Sequence, residues 1–365
     1  MLTTFLILVL LVVFFVIFIN QEKFGKRLSG KRLENLKKSP HYIKDSFDNL
    51  SDTPALTEGV SYYKALKEFI FDKNKRKKPS QPIPSIKTDL LNLNLDKNIL
   101  VWFGHSSYFM QLDGKRILVD PVFSGHASPI SFTTRAFEGA DIYGVADMPQ
   151  IDYLFITHDH WDHMDYDTLT SLRSKVNHVI CALGVGAHLT YWGYQQDHIT
   201  EKDWNEHFIL EDGFVVQTVP ARHFSGRGFK RNQTLWTSFA FKTPSFNIFI
   251  GGDSGYDKHF KLAGEKLGPF DLVILENGQY DHKWKYIHMH PDEVVLAAKD
   301  LKGKRLLPVH SSKFALSQHA WDEPLKKVSN ISKIEQVALV TPKIGETVDM
   351  NNPNQKFSQW WREID

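Results

Sequence analysis

The chain has 365 residues, 42% of them hydrophobic and 24% charged, which supports one large domain or two medium ones with a substantial core. Its net charge of +2 supplies no global basic field, so a nucleic-acid partner is not expected. The single cysteine, Cys181, excludes an internal disulfide, and 17 histidines invite a search for metal ligands.

The first element is the apolar run FLILVLLVVFFVIFI at 5–19. With its flanks it makes about 20 helical residues, roughly 30 Å at 1.5 Å each, enough to cross a hydrocarbon core. A cleaved signal peptide is the rival, but no Lys or Arg precedes the run and no small-residue cleavage site follows it. An uncleaved single-pass anchor over 1–22 is therefore expected. Lys23, Lys26, Arg27, Lys31, Arg32, Lys37 and Lys38 follow, so the positive-inside rule places the rest of the chain on the cytoplasmic side of a bacterial-type inner (plasma) membrane.

Residues 23–97 read as a lead-in and linker. A helix is expected over Tyr62–Phe71, with Leu66, Phe69 and Ile70 on one face. The basic patch KNKRKK at 73–78 and the extended connector PSQPIPS at 79–85 come next. The patch reads as a solvated linker, with a membrane-surface contact as the alternative. Because this long segment intervenes, the anchor is not expected to shape any site downstream.

A compact domain is expected over 98–365. ILVWF (99–103) reads as a buried strand. SYFMQL and KRILVD flank Asp113-Gly114, a two-residue hairpin signal. DYLFIT (152–157), VNHVICA (176–182), FVVQTVPA (214–221), SFAFKT (238–243), FNIFIGG (246–252), LVILE (272–276) and RLLPVH (305–310) read as further strands. GVGAHLTYWGY (184–194) reads as a helix. Another starts with Pro291 at its first position, acids in its first turn and Gly303 beyond its end. Strands interrupted by helices make this an α/β sandwich.

The chemistry concentrates in THDHWDHMD at 157–165, which runs straight out of a strand. His158 and His160 can project to one side of a tight loop, with Asp162 and His163 a turn further on. One tetrahedral ion does not take all four in that geometry, whereas two adjacent ions can share them. Imidazole and carboxylate without thiolate suit Zn²⁺, with Fe or Mn as alternatives, and favour a catalytic site with an open position. His223 in PARHF, Asp253 in FIGGDSGYD and His310 in LLPVH each follow an apolar run, where a loop can aim them into a shared cleft.

H-x-H-x-D-H followed by a lone His, an Asp in G-D-S-G and a last His resembles the metallo-β-lactamase superfamily. The stretches WFGHSSYFMQL…ILVDPVFS, GVGAHL, PARHFSGRG, HMHPDE and PVHSSKFAL are similar to the N-acylphosphatidylethanolamine-hydrolysing phospholipase D group and, more loosely, to lactonase-like members. That resemblance, covering roughly 95–330, implies a four-layer αββα sandwich with two Zn²⁺ per chain at one edge. It implies His158, His160 and His223 on the first metal, Asp162, His163 and His310 on the second, Asp253 bridging, and Asp120 orienting a ligand histidine. It also implies a metal-activated water attacking phosphorus or a carbonyl, with Asp162, Asp253 and His288 as catalytic residues.

Several residues stay open. His105 is a turn histidine or part of the site, and His288 a phosphate or acid–base residue or none of these. His290 stands where the group more often has an acid. Arg222 meets a phosphate or a surface carboxylate. Tyr280, Trp284 and Tyr286 line an acyl groove or merely pack. His126, His188, His282 and His319 are not expected to bind metal. The expected activity is a membrane-anchored, zinc-dependent phosphodiesterase of phospholipase D type, with phospholipid substrate and membrane as partners and a homodimer left open. A lactonase of small soluble substrates is the alternative.

Overall fold

The computed structural model describes residues 1–26, 28–71 and 74–364. Arg27, Lys73 and the Leu66, Phe69 and Ile70 side chains of the expected helical face lie outside the described residues.

Helix α1 (Leu2–Ile19) has a mean hydropathy of 3.3 and buries none of its residues, so it is a candidate membrane span. The lead-in carries α2 (Gly30–Leu36), a small hairpin of β1 (Tyr42–Ile43) and β2 (Ser46–Phe47), and α3 (Tyr62–Ile70). It is part of the folded body: Phe47, Ile83 and Leu90 are buried in its cores.

The first large sheet contains β3 (Ile99–Trp102), β4 (Tyr108–Leu112), β5 (Lys115–Val119), β6 (Ile151–Ile156), β7 (Val176–Ala182) and β8 (Ile199–Lys202) in chain order, with β15 (Thr347–Asp349) added beside β3. Asp113 and Gly114, at φ +49° and +78°, turn β4 into β5 as a two-residue hairpin with Leu112 opposite Lys115. From β5 to β8 the strands run parallel.

The second sheet has the order β14-β13-β12-β11-β10-β9. Its strands are β9 (His207–Glu211), β10 (Phe214–Val219), β11 (Ser238–Lys242), β12 (Asn247–Ile250), β13 (Leu272–Glu276) and β14 (Leu306–Val309). The last three are parallel.

Alternating apolar side chains explain the layering. Leu100, Trp102, Met110, Ile117 and Phe155 of the first sheet meet Val216, Phe239, Phe241 and Ile274 of the second in one buried cluster. The opposite face of the first sheet packs on α4 (Tyr166–Leu172) and α5 (Gly186–Tyr191) through Leu169, Leu172 and Leu189. The far face of the second takes α6 (His259–Lys266), α7 (Pro291–Asp300) and α8 (Glu323–Ile334) through Phe260, Val294, Val295 and Val328. The result is the expected αββα sandwich.

The segment directly after α1 is bound into this body, contrary to the expectation that a long connector isolates the N-terminal helix from the site. Arg227 is almost fully buried and must find acceptors. It donates to the carbonyls of Asp159 and Met164, and through Nε and Nη2 to that of Lys23, at 3.0 and 2.9 Å. Trp192 Nε1 donates to the Glu22 carbonyl at 2.8 Å, Tyr166 donates to the Glu22 carboxylate at 2.8 Å, and Lys26 N–H reaches His188 Nδ1 at 2.9 Å. Phe24 meets Trp161 edge-on, with centroids 5.3 Å apart. Residues directly after α1 are thereby stapled to the loop that carries the histidine motif. Phe15, Phe18 and Phe24 share a surface cleft with His160 and Asp162.

Candidate metal centre

Each expected metal ligand, and Asp120, follows the end of a strand. Asp120 follows β5, and His158, His160, Asp162 and His163 follow β6. His223 lies beyond β10, Asp253 beyond β12 and His310 beyond β14. The carboxyl ends of parallel strands are where α/β sheets collect ligands, because loops there converge at one edge. Backbone strain marks the convergence: His105, Asp120 and His310 sit at φ +52°, +41° and +66°, where non-glycine residues persist only under constraint from their surroundings. Two backbone bonds supply part of it, His105 N–H to Ser311 O and His310 N–H to His105 O, both 2.9 Å.

Hydrogen bonds on the outer side of the cluster decide what its inner side offers. His223 Nδ1 faces the Ile287 carbonyl at 2.9 Å, an acceptor only, so that nitrogen carries the proton. His163 Nδ1 likewise faces Asp120 Oδ2 at 2.8 Å. Thr157 gives its hydroxyl proton to Asp120 at 2.6 Å, so it accepts from His158 Nδ1 at 3.0 Å. His158 and His223 therefore turn a bare Nε2 inward, and His163 turns its Nε2 the same way.

His158 Nε2 and His223 Nε2 stand 2.9 and 3.2 Å from the same atom, His160 Nδ1, and 3.8 and 3.7 Å from Asp253 Oδ2. One neutral imidazole cannot donate to both partners. The buried His163 Nε2 makes no hydrogen bond, although Asp253 Oδ2 is 3.2 Å away. Lone pairs converging on a shared point are what a cation requires, so these residues fit a metal.

Of the described groups whose ligand-capable atoms lie within 4.8 Å of one another, two hold the expected ligands. One is His158, His160, His223 and Asp253; the other is His105, Asp162, His163 and His310. Asp253 also reaches the second group, with Oδ1 3.0 Å from His310 Nδ1. The structure thus brings all seven expected ligands together. Burial pushes His158 and His223 well below the usual imidazole range, keeping them neutral as ligands must be. His163 moves the other way: burial opposes the shift, but Asp253 and Asp162 outweigh it. The negative pocket that would draw a proton there would draw a metal equally.

The open residues divide. His105 belongs to the site, with Nε2 holding Asp162 Oδ2 at 2.8 Å. His288 lines the central cavity, about 400 Å³, together with His160, Asp162, His223, Asp253 and Trp284. Arg222 turns away, bonding Thr53 and the Asp52 carbonyl and lying over Tyr286 at 4.6 Å. Tyr280 is buried and donates to Glu323 at 2.9 Å. His290 precedes α7, its N–H bonded to Glu293. His126, His188, His282 and His319 join none of the described metal-capable groups.

Sequence reasoning missed Glu276, the buried last residue of β13. Its Oε2 lies 2.7 Å from His288 Nδ1. Burial raises this carboxyl, with His288 opposing; His288, which burial alone would lower, is raised by Glu276 to about 9. A charged residue closing an apolar strand, as at Asp120, was the available signal.

Comparison with known proteins agrees with this geometry. The beta-lactamase superfamily domain matches residues 115–311. An uncharacterised protein of Mycobacterium tuberculosis is 37% identical over 89% of this chain and 88% of its own. The N-acyl-phosphatidylethanolamine-hydrolyzing phospholipase D 1 of Caenorhabditis elegans is 27% identical over 90% of this chain and 95% of its own. The solved metallo hydrolase Igni18 of Ignicoccus hospitalis shares the fold, with a TM-score of 0.54 at 20% identity, covering 69% of this chain and 97% of that one. With the family domain matched over more than half of its length and its metal-capable side chains gathered at the sheet edge, the chain belongs to the β-lactamase superfamily and is a metal-dependent hydrolase.

Proposed function

We propose that the protein is a membrane-anchored hydrolase of phospholipase D type, cleaving a phosphodiester of an N-acylphosphatidylethanolamine-like lipid on the cytoplasmic face of the membrane. The observation that carries this reading is the shared cleft: the end of an apolar helix and two residues of the metal-capable cluster line the same surface groove. The similarity to the nematode phospholipase supports the substrate class.

In this reading His158, His160 and His223 would hold one Zn²⁺ and Asp162, His163 and His310 the other, with Asp253 within reach of both groups. Bound in this way, the ions would lower the pKa of a water towards ~7 and neutralise charge that develops on the substrate oxygens. Asp162, steadied by His105, accepts the proton that water gives up. Asp120 fixes the His163 ring. His288 faces the substrate, and Trp284, Leu56 and Ile287 give the cavity an apolar wall.

The test compares hydrolysis of N-acylphosphatidylethanolamine in phosphatidylcholine vesicles with a panel of soluble lactones, using full-length protein of measured metal content. About two zinc ions per chain and activity on vesicles are expected. Activity on lactones alone would replace this reading with a lactonase.

A further inference from the structure

Arg222, one sequence candidate for meeting a phosphate, is spent on Thr53 and the Asp52 carbonyl and does not line the central cavity. A different guanidinium stands there. Among the described residues that line the cavity, Arg231 is the one Lys or Arg, and it also lines the cleft that the end of α1 shares with His160 and Asp162. It therefore sits where the cavity opens toward that cleft.

The backbone of Arg231 is held. Asn232 N–H donates to the Ser225 carbonyl at 2.9 Å, Ser225 N–H donates to Asn232 Oδ1 at 3.3 Å, and Phe47 N–H donates to the Asn232 carbonyl at 2.8 Å. These bonds close the base of loop 225–232, and Asn232 adopts φ +59° to make the closure. Gly228, Phe229 and Lys230 form the exposed tip, whereas Arg231 belongs to the base.

An aromatic ring, not an acid, directs its side chain. The guanidinium carbon lies 4.8 Å from the centre of the Phe224 ring, and that ring stands 4.4 Å from His160 and 4.8 Å from His223. One ring thus touches Arg231 and two of the expected metal ligands. Among the described residues no carboxylate pairs with Arg231, Asp48 on the same cavity wall included. A guanidinium resting on an aromatic face keeps its N–H donors for a ligand in its own plane.

We propose that Arg231 is a substrate-binding residue that selects a phosphodiester anion over a neutral ester: its fork meets the phosphate at the cavity mouth as the lipid enters from the cleft. This rests on the phospholipase reading for its substrate. Bound metal ions would polarise a phosphate oxygen and a lactone carbonyl alike, so a fixed charge outside the ligand groups is what a neutral ester cannot use. The charge is permanent, because a guanidinium does not lose its proton in the working pH range.

The test uses full-length, zinc-loaded protein with Arg231→Ala, Arg231→Lys and, as a control at the loop tip, Lys230→Ala. The substrate is a short-chain, monomeric N-acylphosphatidylethanolamine. Arg231→Ala should raise KM about 10-fold with a much smaller change in kcat, since the contact is made on binding. Arg231→Lys should recover part of the loss, keeping the charge without the fork, and Lys230→Ala should match the wild type. Added salt should narrow the gap between wild type and Arg231→Ala. Equal KM in those two proteins, an equally large loss in Lys230→Ala, or a changed metal content would overturn the assignment.

A binding measurement separates this inference from the phospholipase reading. Dihexanoylphosphatidate, a soluble lipid anion, and neutral dihexanoylglycerol are titrated calorimetrically into the same zinc-loaded proteins. If the wild type cleaves only lactones, the lipid reading falls, yet phosphatidate binding about 10-fold weaker in Arg231→Ala, with dihexanoylglycerol far less affected, still supports an anion-binding Arg231. An unchanged Kd for phosphatidate, or no binding of it to the wild type, overturns the inference whatever the substrate.

Discussion

At Asp120 one side chain serves both the fold and the site. Its two oxygens take the N–H and hydroxyl of Thr157 and the Nδ1–H of His163. Asp120→Asn keeps the shape but loses the charge that orients the ring, so metal affinity or activity should fall about 10–100-fold while the fold persists. Metal titration with a competing chelator measures this. Asp253→Asn should do more damage, because Asp253 lies 3.0–3.8 Å from four histidines of both groups. His290→Ala, at the entry to α7, should leave metal content unchanged; equal metal loss in the two variants would contradict the assigned roles. The ligands were legible because each is a metal-capable residue released by an apolar run. His105 and Glu276 were harder, since their meaning lies in what they hold, Asp162 and His288, and neither partner is near in sequence.

Among the elements, strands were easier to read than helices. LVILE and VNHVICA form β13 and β7 with the expected ends, because each carries a buried apolar run, unbroken in β13 and over Val179–Ala182 in β7. The helix expected over 184–194 shrinks to Gly186–Tyr191, since Gly184 and Gly193 adopt φ +96° and +94°. Strands β8, β9 and β15 are short and partly polar, and β15 joins β3 from the far end of the chain. No local pattern announces such a pairing. The loops after β13 and β14 touch where Gly278 faces the His310 carbonyl: a Cβ there would lie 2.2 Å from that oxygen. Gly278→Ala should therefore destabilise the protein by about 1–3 kcal/mol and weaken metal binding, because the His310 turn must move. Thermal unfolding with and without added zinc checks both effects.

For the molecule as a whole, metal and helix α1 should be separable contributions. A chelator should lower the melting temperature. Restored zinc at about 1,000 times its Kd should return roughly 4 kcal/mol of stability. Deleting residues 1–20 keeps Glu22, Lys23 and Lys26 on their partners and should leave metal content and activity on short-chain monomeric substrate intact. Deleting 1–28 strips the Lys23 carbonyl from buried Arg227 and should lower the melting temperature as well; equal stability of the two truncations would show that the staple contributes nothing. That staple has a kinetic consequence. In the proposed reading α1 enters a bilayer, and a hydrolase held against it through residues 22–26 would neither tumble freely nor approach from bulk water. Its encounters become a two-dimensional search by lateral diffusion. The rate should then follow the mole fraction of lipid substrate within the membrane plane rather than its total concentration, and diluting it with inert lipid should slow turnover even when the amount of substrate is constant.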